Sequence, residues 1–128
     1  MSQIRVSKTP IMILRDGPIV RKSMSFSISI IKYCDFLNDK RKFIISNQLL
    51  KSGTSIGANV FEAQYAESRL DFIHKMKIAL KEANETLYWL ILCGKMEDLI
   101  VQQETLDELN EMMAILSKII ITSKKRLN

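Results

Sequence analysis

Residues 48–62 read QLLKSGTSIGANVFE. The stretch gathers Ser52, Gly53, Thr54, Ser55, Gly57 and Ala58, small residues that keep a helix backbone thin. Ile45, Leu49, Ile56 and Val60 are spaced 4, 7 and 4, one apolar face of a helix spanning about residues 43–65. Each interior glycine costs a helix about 1 kcal/mol against alanine. A helix that keeps two of them, one turn apart, is expected to let another backbone come close. Ser52, Gly53, Ser55 and Gly57 therefore read as a tight helix–helix crossing. A phosphate-binding loop does not fit, because neither GxxxxGK[ST] nor GxGxxG is present and no strand precedes the glycines. Ser55, Asn59 and Glu62 fall at i, i+4 and i+7, a polar row on one helix face.

Outward from this stretch the chain reads as long amphipathic helices. Both prolines, Pro10 and Pro18, lie in the first 20 residues, so nothing downstream breaks a helix by that route. Residues 1–21 read as a loosely ordered N-terminal arm, with turn signals at Thr9-Pro10 and Asp16-Gly17-Pro18 around the apolar run Ile11 to Leu14. A first helix is expected from about residue 22 to Asn38. It carries two apolar stripes, Met24/Ile28/Ile31 and Phe26/Ile30/Tyr33/Leu37, and one bundle core needs only one. Ser68-x-x-Asp71 has the form of a capping box and opens a third helix, about Arg69 to Leu92, with Gly94 as its expected stop. A fourth, about Gln102 to Lys125, carries Leu106, Leu109, Met113, Leu116 and Ile120 at coiled-coil spacing, with Met112, Ile115 and Ile119 as a second edge. The expected architecture is all-α: an antiparallel up-down-up-down four-helix bundle over residues 22–126.

The 128 residues suffice for one domain with a real core. The net charge of +5 is uneven. Ten Lys and Arg face three Asp and Glu in residues 1–51, and nine face eleven in residues 52–128. A basic excess suits phosphate contacts as well as plain solvation of helix faces. Lys40, Arg41, Lys42, Lys51, Lys124, Lys125 and Arg126 are the candidate nucleic-acid-binding residues, and Ser55, Asn59 and Glu62 a candidate structural row with Lys51 or Lys81 as partner. No basic patch interleaved with aromatics is present to stack bases.

Little else carries chemistry. His74 is the single histidine, and Asp71-x-x-His74 is neither Glu-x-x-His nor duplicated, so a di-iron bundle is not expected. Glu82 and Glu85 lie among lysines, an ion-paired arrangement more than an acid pair. Cys34 and Cys93 sit in apolar helical context without a CxxC, which reads as two buried thiols and a reducing cytoplasm. Neither Ile11–Leu14 nor Tyr88–Cys93 is long enough to span a membrane, and no secretory leader is expected. The expectation is a protein without catalytic residues, metal or cofactor.

The stretch Gln48–Val60 with Glu62-Ala63, followed by Asp71-Phe72-Ile73-His74-Lys75 and Ala79-Leu80-Lys81-Glu82-Ala83-Asn84-Glu85-Thr86, resembles a family of bacterial four-helix bundle proteins. Members include those encoded in intervening sequences of 23S ribosomal RNA genes. The resemblance covers about residues 22–125 and leaves the arm outside. It implies an antiparallel bundle that assembles as a homopentamer. One relative is the accessory subunit of diversity-generating retroelements, a basic pentameric barrel that binds a reverse transcriptase and nucleic acid. Where much of the family has Ile-Ala-Glu-Gly, this chain has Val60-Phe61-Glu62-Ala63. Two functions are carried forward: an oligomeric bundle that binds RNA or DNA through its basic residues, and a scaffold or accessory subunit with a protein partner and no nucleic-acid contact.

Overall fold

The computed structural model describes residues 17–127. Four helices follow one another: α1 (Pro18–Asp39), α2 (Phe43–Ala63), α3 (Arg69–Gly94) and α4 (Gln103–Lys125). No strand occurs among the described residues. Each helix packs on its neighbour in sequence, and α4 closes the bundle against α1. Two ends result. One gathers the start of α1, the α2–α3 turn and the end of α4. The other gathers the α1–α2 turn and the α3–α4 loop.

The helix starts follow local chemistry. Pro18 occupies the first turn of α1, where its missing N–H costs nothing. The helix thus begins inside the segment expected to be an arm, and residues 18–21 belong to the bundle. Ser68 caps α3 and accepts a hydrogen bond from Asp71 N at 3.0 Å. Asp71 reaches back one residue further than a standard capping box, accepting from Glu67 N at 3.2 Å. Gly94 does not stop α3 in a left-handed conformation. It is the last helical residue, and Lys95 caps the end with a right-handed φ of −90°. Among the described residues the one left-handed non-glycine residue is Arg41, at φ 61° in the α1–α2 turn. Among the described residues that turn is tied to the α3–α4 loop by Lys42 Nζ to Asp98 Oδ2 at 3.2 Å.

The two stripes of α1 separate. Phe26, Ile30, Cys34 and Leu37 are buried, while Met24, Ile28 and Ile31 remain 50%, 50% and 46% exposed. On α2, Leu49, Ile56 and Val60 are buried and Ile45 is half-buried. The buried line of α4 is Leu109, Met112, Leu116 and Ile120. Leu106 and Met113, which the heptad reading put in the seam, sit half-buried at its edge. A 3.6-residue period drifts against a strict heptad, so Met112 takes the inner place.

The α1–α2 crossing is as close as the small residues suggest. A Cβ on Gly53 would stand 2.7 Å from Ile30 Cγ2 and 3.0 Å from Ile30 Cγ1. At Gly57 it would stand 3.2 Å from the Ser23 carbonyl oxygen and from Ser27 Oγ. Buried hydroxyls stitch the flanks. Ser46 Oγ donates to the Cys34 carbonyl at 3.3 Å, and the Cys34 thiol donates to the Ser46 carbonyl at 3.4 Å. The Ser52 and Thr86 hydroxyls hydrogen-bond across the α2–α3 seam at 3.0 Å. Tyr33 lies against Cys93 with its hydroxyl buried and lacking a hydrogen bond of good geometry among the described residues. Burial first, and then Cys93, pushes the Tyr33 hydroxyl pKa up. Burial likewise pushes both thiols up.

Gly53→Ala is expected to lower stability despite the better helix propensity of alanine. Ile30 is fully buried and β-branched, so overpacking of about 1–3 kcal/mol outweighs a propensity gain of about 1 kcal/mol. Urea unfolding measures the difference, and an unchanged or raised midpoint would contradict the close crossing. The raised thiol pKa values mean less thiolate at any given pH. Cys34 and Cys93 are therefore expected to resist Ellman's reagent at pH 8 until urea unfolds the chain. Prompt reaction of two thiols in the native protein would contradict the burial.

Candidate functional site

Four surface features carry what the molecule offers to other molecules. The first is the outward face of the α1–α2 hairpin. The Gly53 and Gly57 contacts set the register, bringing Met24 beside Ala58 and Phe61. A shallow cleft of about 410 Å³ runs between the helices there, lined by Val20, Met24, Ser27, Thr54, Ala58 and Phe61. Ile28 and Ile31 continue the apolar line along α1, and half-exposed Leu50 and Phe61 extend it on α2. A second exposed apolar pair, Tyr88 and Ile91, lies on α3.

The second feature is the basic set, and the bundle divides it. Lys40, Arg41 and Lys42 stand at the α1–α2 turn. Lys42 is held by Asp98, whose carboxyl it keeps below the usual range, and Lys40 lies 5.9 Å over the Phe36 ring. Lys51 is exposed midway along α2, and its charge acts on the carboxyl of Glu82. Lys124, Lys125 and Arg126 stand at the opposite end, about 30 Å away along the 21 residues of α2. The seven residues therefore form no single patch. Spacing along the chain cannot reveal this, because the antiparallel turns decide which ends meet. A different cluster does form. Lys77 of α3 and Lys124 of α4 approach closely enough that the second ammonium group pushes the pKa of the first down. Arg69, Lys118 and Arg126 border the same end of the bundle. Lys77, Lys118 and Arg69 were missed in the sequence because they are scattered singly among other helix-surface charges.

The third feature is the polar row. Ser55 Oγ donates to the Lys51 carbonyl at 2.6 Å, and Asn59 Nδ2 donates to the Ser55 carbonyl at 2.8 Å. Both side chains bond back along their own helix, half-buried. Glu62 is exposed, and its partner is Lys75 of α3, at 3.8 Å, rather than Lys51 or Lys81. Lys51 and Lys81 act instead on Glu82, where they offset the upward push of burial and of Glu85. Glu85 in turn accepts from Trp89 Nε1 at 3.2 Å.

The fourth is a groove at the end where α1 begins, about 600 Å³ in volume. Ile19, Ala63, Phe72, Met76 and Ile119 form its walls. Among the described residues no group of three His, Cys, Asp or Glu is placed to hold a metal ion. His74 is exposed on α3. No helix of the described residues is long and apolar enough to cross a membrane.

The chain has recognisable relatives. It is similar to a protein of unknown function from the S23 ribosomal protein family of Bacteroides thetaiotaomicron, with 44% identity and a TM-score of 0.74. That likeness covers 80% of this chain and 97% of the other. No curated protein matches. The sequence profile described as 23S rRNA-intervening sequence protein matches residues 15–122, nearly the whole described bundle. The chain belongs to the 23S rRNA-intervening sequence protein family.

Proposed function

We propose that the protein is a non-enzymatic, self-assembling helical scaffold, and that the α1–α2 face is where copies meet. The observation that carries the reading is the line Met24, Ile28 and Ile31, half-exposed at i, i+4 and i+7 beside Leu50 and Phe61. Contiguous exposed apolar surface of this kind marks an interaction site. Nothing in the helix requires it: the other stripe of α1 already supplies the core. A homopentamer is the assembly expected of the family resemblance. A ring of odd order pairs two different faces of neighbouring copies. Tyr88 and Ile91 of α3 supply a second apolar patch for that purpose. The compartment that suits two reduced, buried thiols is the cytoplasm.

A second reading has its own observation. Lys77 and Lys124 crowd together with Lys118 and Arg126 nearby, and none of the four makes an ion pair among the described residues. Such a cluster suits phosphate oxygens, contacted without regard to base sequence. The separate Lys40–Lys42 turn lies about 30 Å away, at the other end of the bundle. The scaffold reading does not need this contact, and a protein partner remains the alternative to nucleic acid.

Light scattering of the full chain is expected to give about five times the 14.8 kDa subunit mass. Ile28→Glu is expected to reduce it to the subunit mass with helical circular dichroism retained. A wild-type protein at 14.8 kDa would overturn the assembly reading. For the basic cluster, Lys124→Ala is expected to raise the Lys77 pKa toward the ordinary lysine value, read by carbon-detected titration. No change would mean that the two ammonium groups are not neighbours. Lys124→Glu with Arg126→Glu is expected to reduce the salt slope of RNA or DNA binding by about two units. An unchanged slope, or no binding by the wild type at low salt, would leave the scaffold role alone.

A further inference from the structure

The groove at the α1 start shares no residue with the cleft of the α1–α2 face. All four helices build it. Ile19 of α1, Ala63 at the end of α2, and Phe72 and Met76 of α3 meet Ile119 of α4, and all five side chains are apolar. Arg69, Lys118 and Arg126 stand exposed on its edge. Among the described residues no acidic side chain lines it. Glu67 and Asp71, close by in sequence, line a separate surface with Glu62 and Lys75. Nor do Arg69, Lys118 and Arg126 make an ion pair among the described residues. The groove thus joins an apolar trough of about 600 Å³ to a rim of positive charge that nothing described neutralises.

These two parts define the ligand between them. The rim calls for an anion, and the planar guanidinium groups of Arg69 and Arg126 match a carboxylate in particular. The trough calls for a chain without hydrogen-bonding groups. Its walls are side chains of helices whose interior N–H and C=O groups are already paired, so a peptide lying there would bury amides without partners. An alkyl chain buries none. A nucleic acid would use the rim and leave the apolar walls in water. The volume lies within the range of about 300–1,000 Å³ usual for small-molecule sites.

We propose that this groove binds a free fatty acid, with the alkyl chain along Ile19, Phe72, Met76 and Ile119 and the carboxylate on Arg69, Lys118 and Arg126. The assignment is independent of the assembly through the α1–α2 face. A bound fatty acid engages Lys118 and Arg126, and so withdraws them from any phosphate contact of the neighbouring basic cluster.

The test is titration calorimetry of the full chain with dodecanoate, held below its micelle concentration. Saturable binding of one molecule per chain is expected. Decanoate, two methylenes shorter, is expected to bind about tenfold more weakly. Dodecyltrimethylammonium, with the same chain and a positive head, is expected not to saturate. Arg69→Gln with Arg126→Gln is expected to weaken dodecanoate by about tenfold. Thr122 is an exposed residue of the groove wall, so Thr122→Trp can fill the trough without disturbing the core. That variant is expected to lose dodecanoate binding while keeping its helical circular dichroism. No saturable binding of dodecanoate by the wild type would overturn the proposal. Equal affinity for the ammonium amphiphile would overturn it too, by reducing the rim to a bystander. Undiminished binding by Thr122→Trp would overturn it by placing the fatty acid elsewhere on the molecule.

Discussion

The close approach of α2 to α1 at Gly53 and Gly57 governs the rest of the molecule. With Ile30 seated on Gly53 and the Ser23 carbonyl against Gly57, the two helices cannot rotate about their own axes without collision. That fixes which stripe of α1 turns inward. Phe26, Ile30, Cys34 and Leu37 then join Leu49, Ile56 and Val60 in the core. The same constraint leaves Met24, Ile28 and Ile31 outside. Core and outward face are thus two consequences of a single contact. Small residues at 52, 53 and 57 act on both, although none of them presents a functional group to solvent.

Polar groups hold the seams without adding charge to the interior. Ser46 and Cys34 exchange hydrogen bonds with each other's carbonyls, and Ser52 meets Thr86. Hydroxyls and thiols are short, so each satisfies a buried donor while the helices stay near one another. The ion pairs Lys22–Glu111, Lys42–Asp98 and Lys75–Glu62 are all partly or fully exposed. Pairs of that kind contribute about 0–1 kcal/mol each, so they refine the seams more than they hold them.

Much of the fold was legible because it depends on short-range periodicity. Helices of 21–26 residues leave several turns of pattern to read, and Ser68 and Pro18 mark their starts by local chemistry. The tight crossing was legible for the same reason, since glycine at two positions one turn apart has few other uses in a helix. Pro18 is ambiguous in the sequence, because its ring suits a turn in the arm and a first helical turn equally. The heptad on α4 was off by one position at Met112, where the bundle wraps less than a coiled coil. Site geometry was least legible. Glu62 found Lys75 instead of Lys51 or Lys81, because register between antiparallel helices is set by packing that no single helix encodes. The basic residues were divided between two ends for the same reason.

The order of the helices bears on how the chain reaches this state. Every seam but one joins neighbours in sequence, linked by turns of a few residues. Local contacts of this sort assemble quickly, because little loop entropy is lost before they form. On a ribosome the hairpin of α1 and α2 can dock as soon as it emerges, and α3 can add to it while α4 is still being made. The α1–α4 seam alone must wait for the complete chain. Until then its future core side, including Phe26 and Ile30, has only α2 to cover it. The glycine crossing therefore does a second service during synthesis, sheltering the most apolar face of the first helix before the bundle closes.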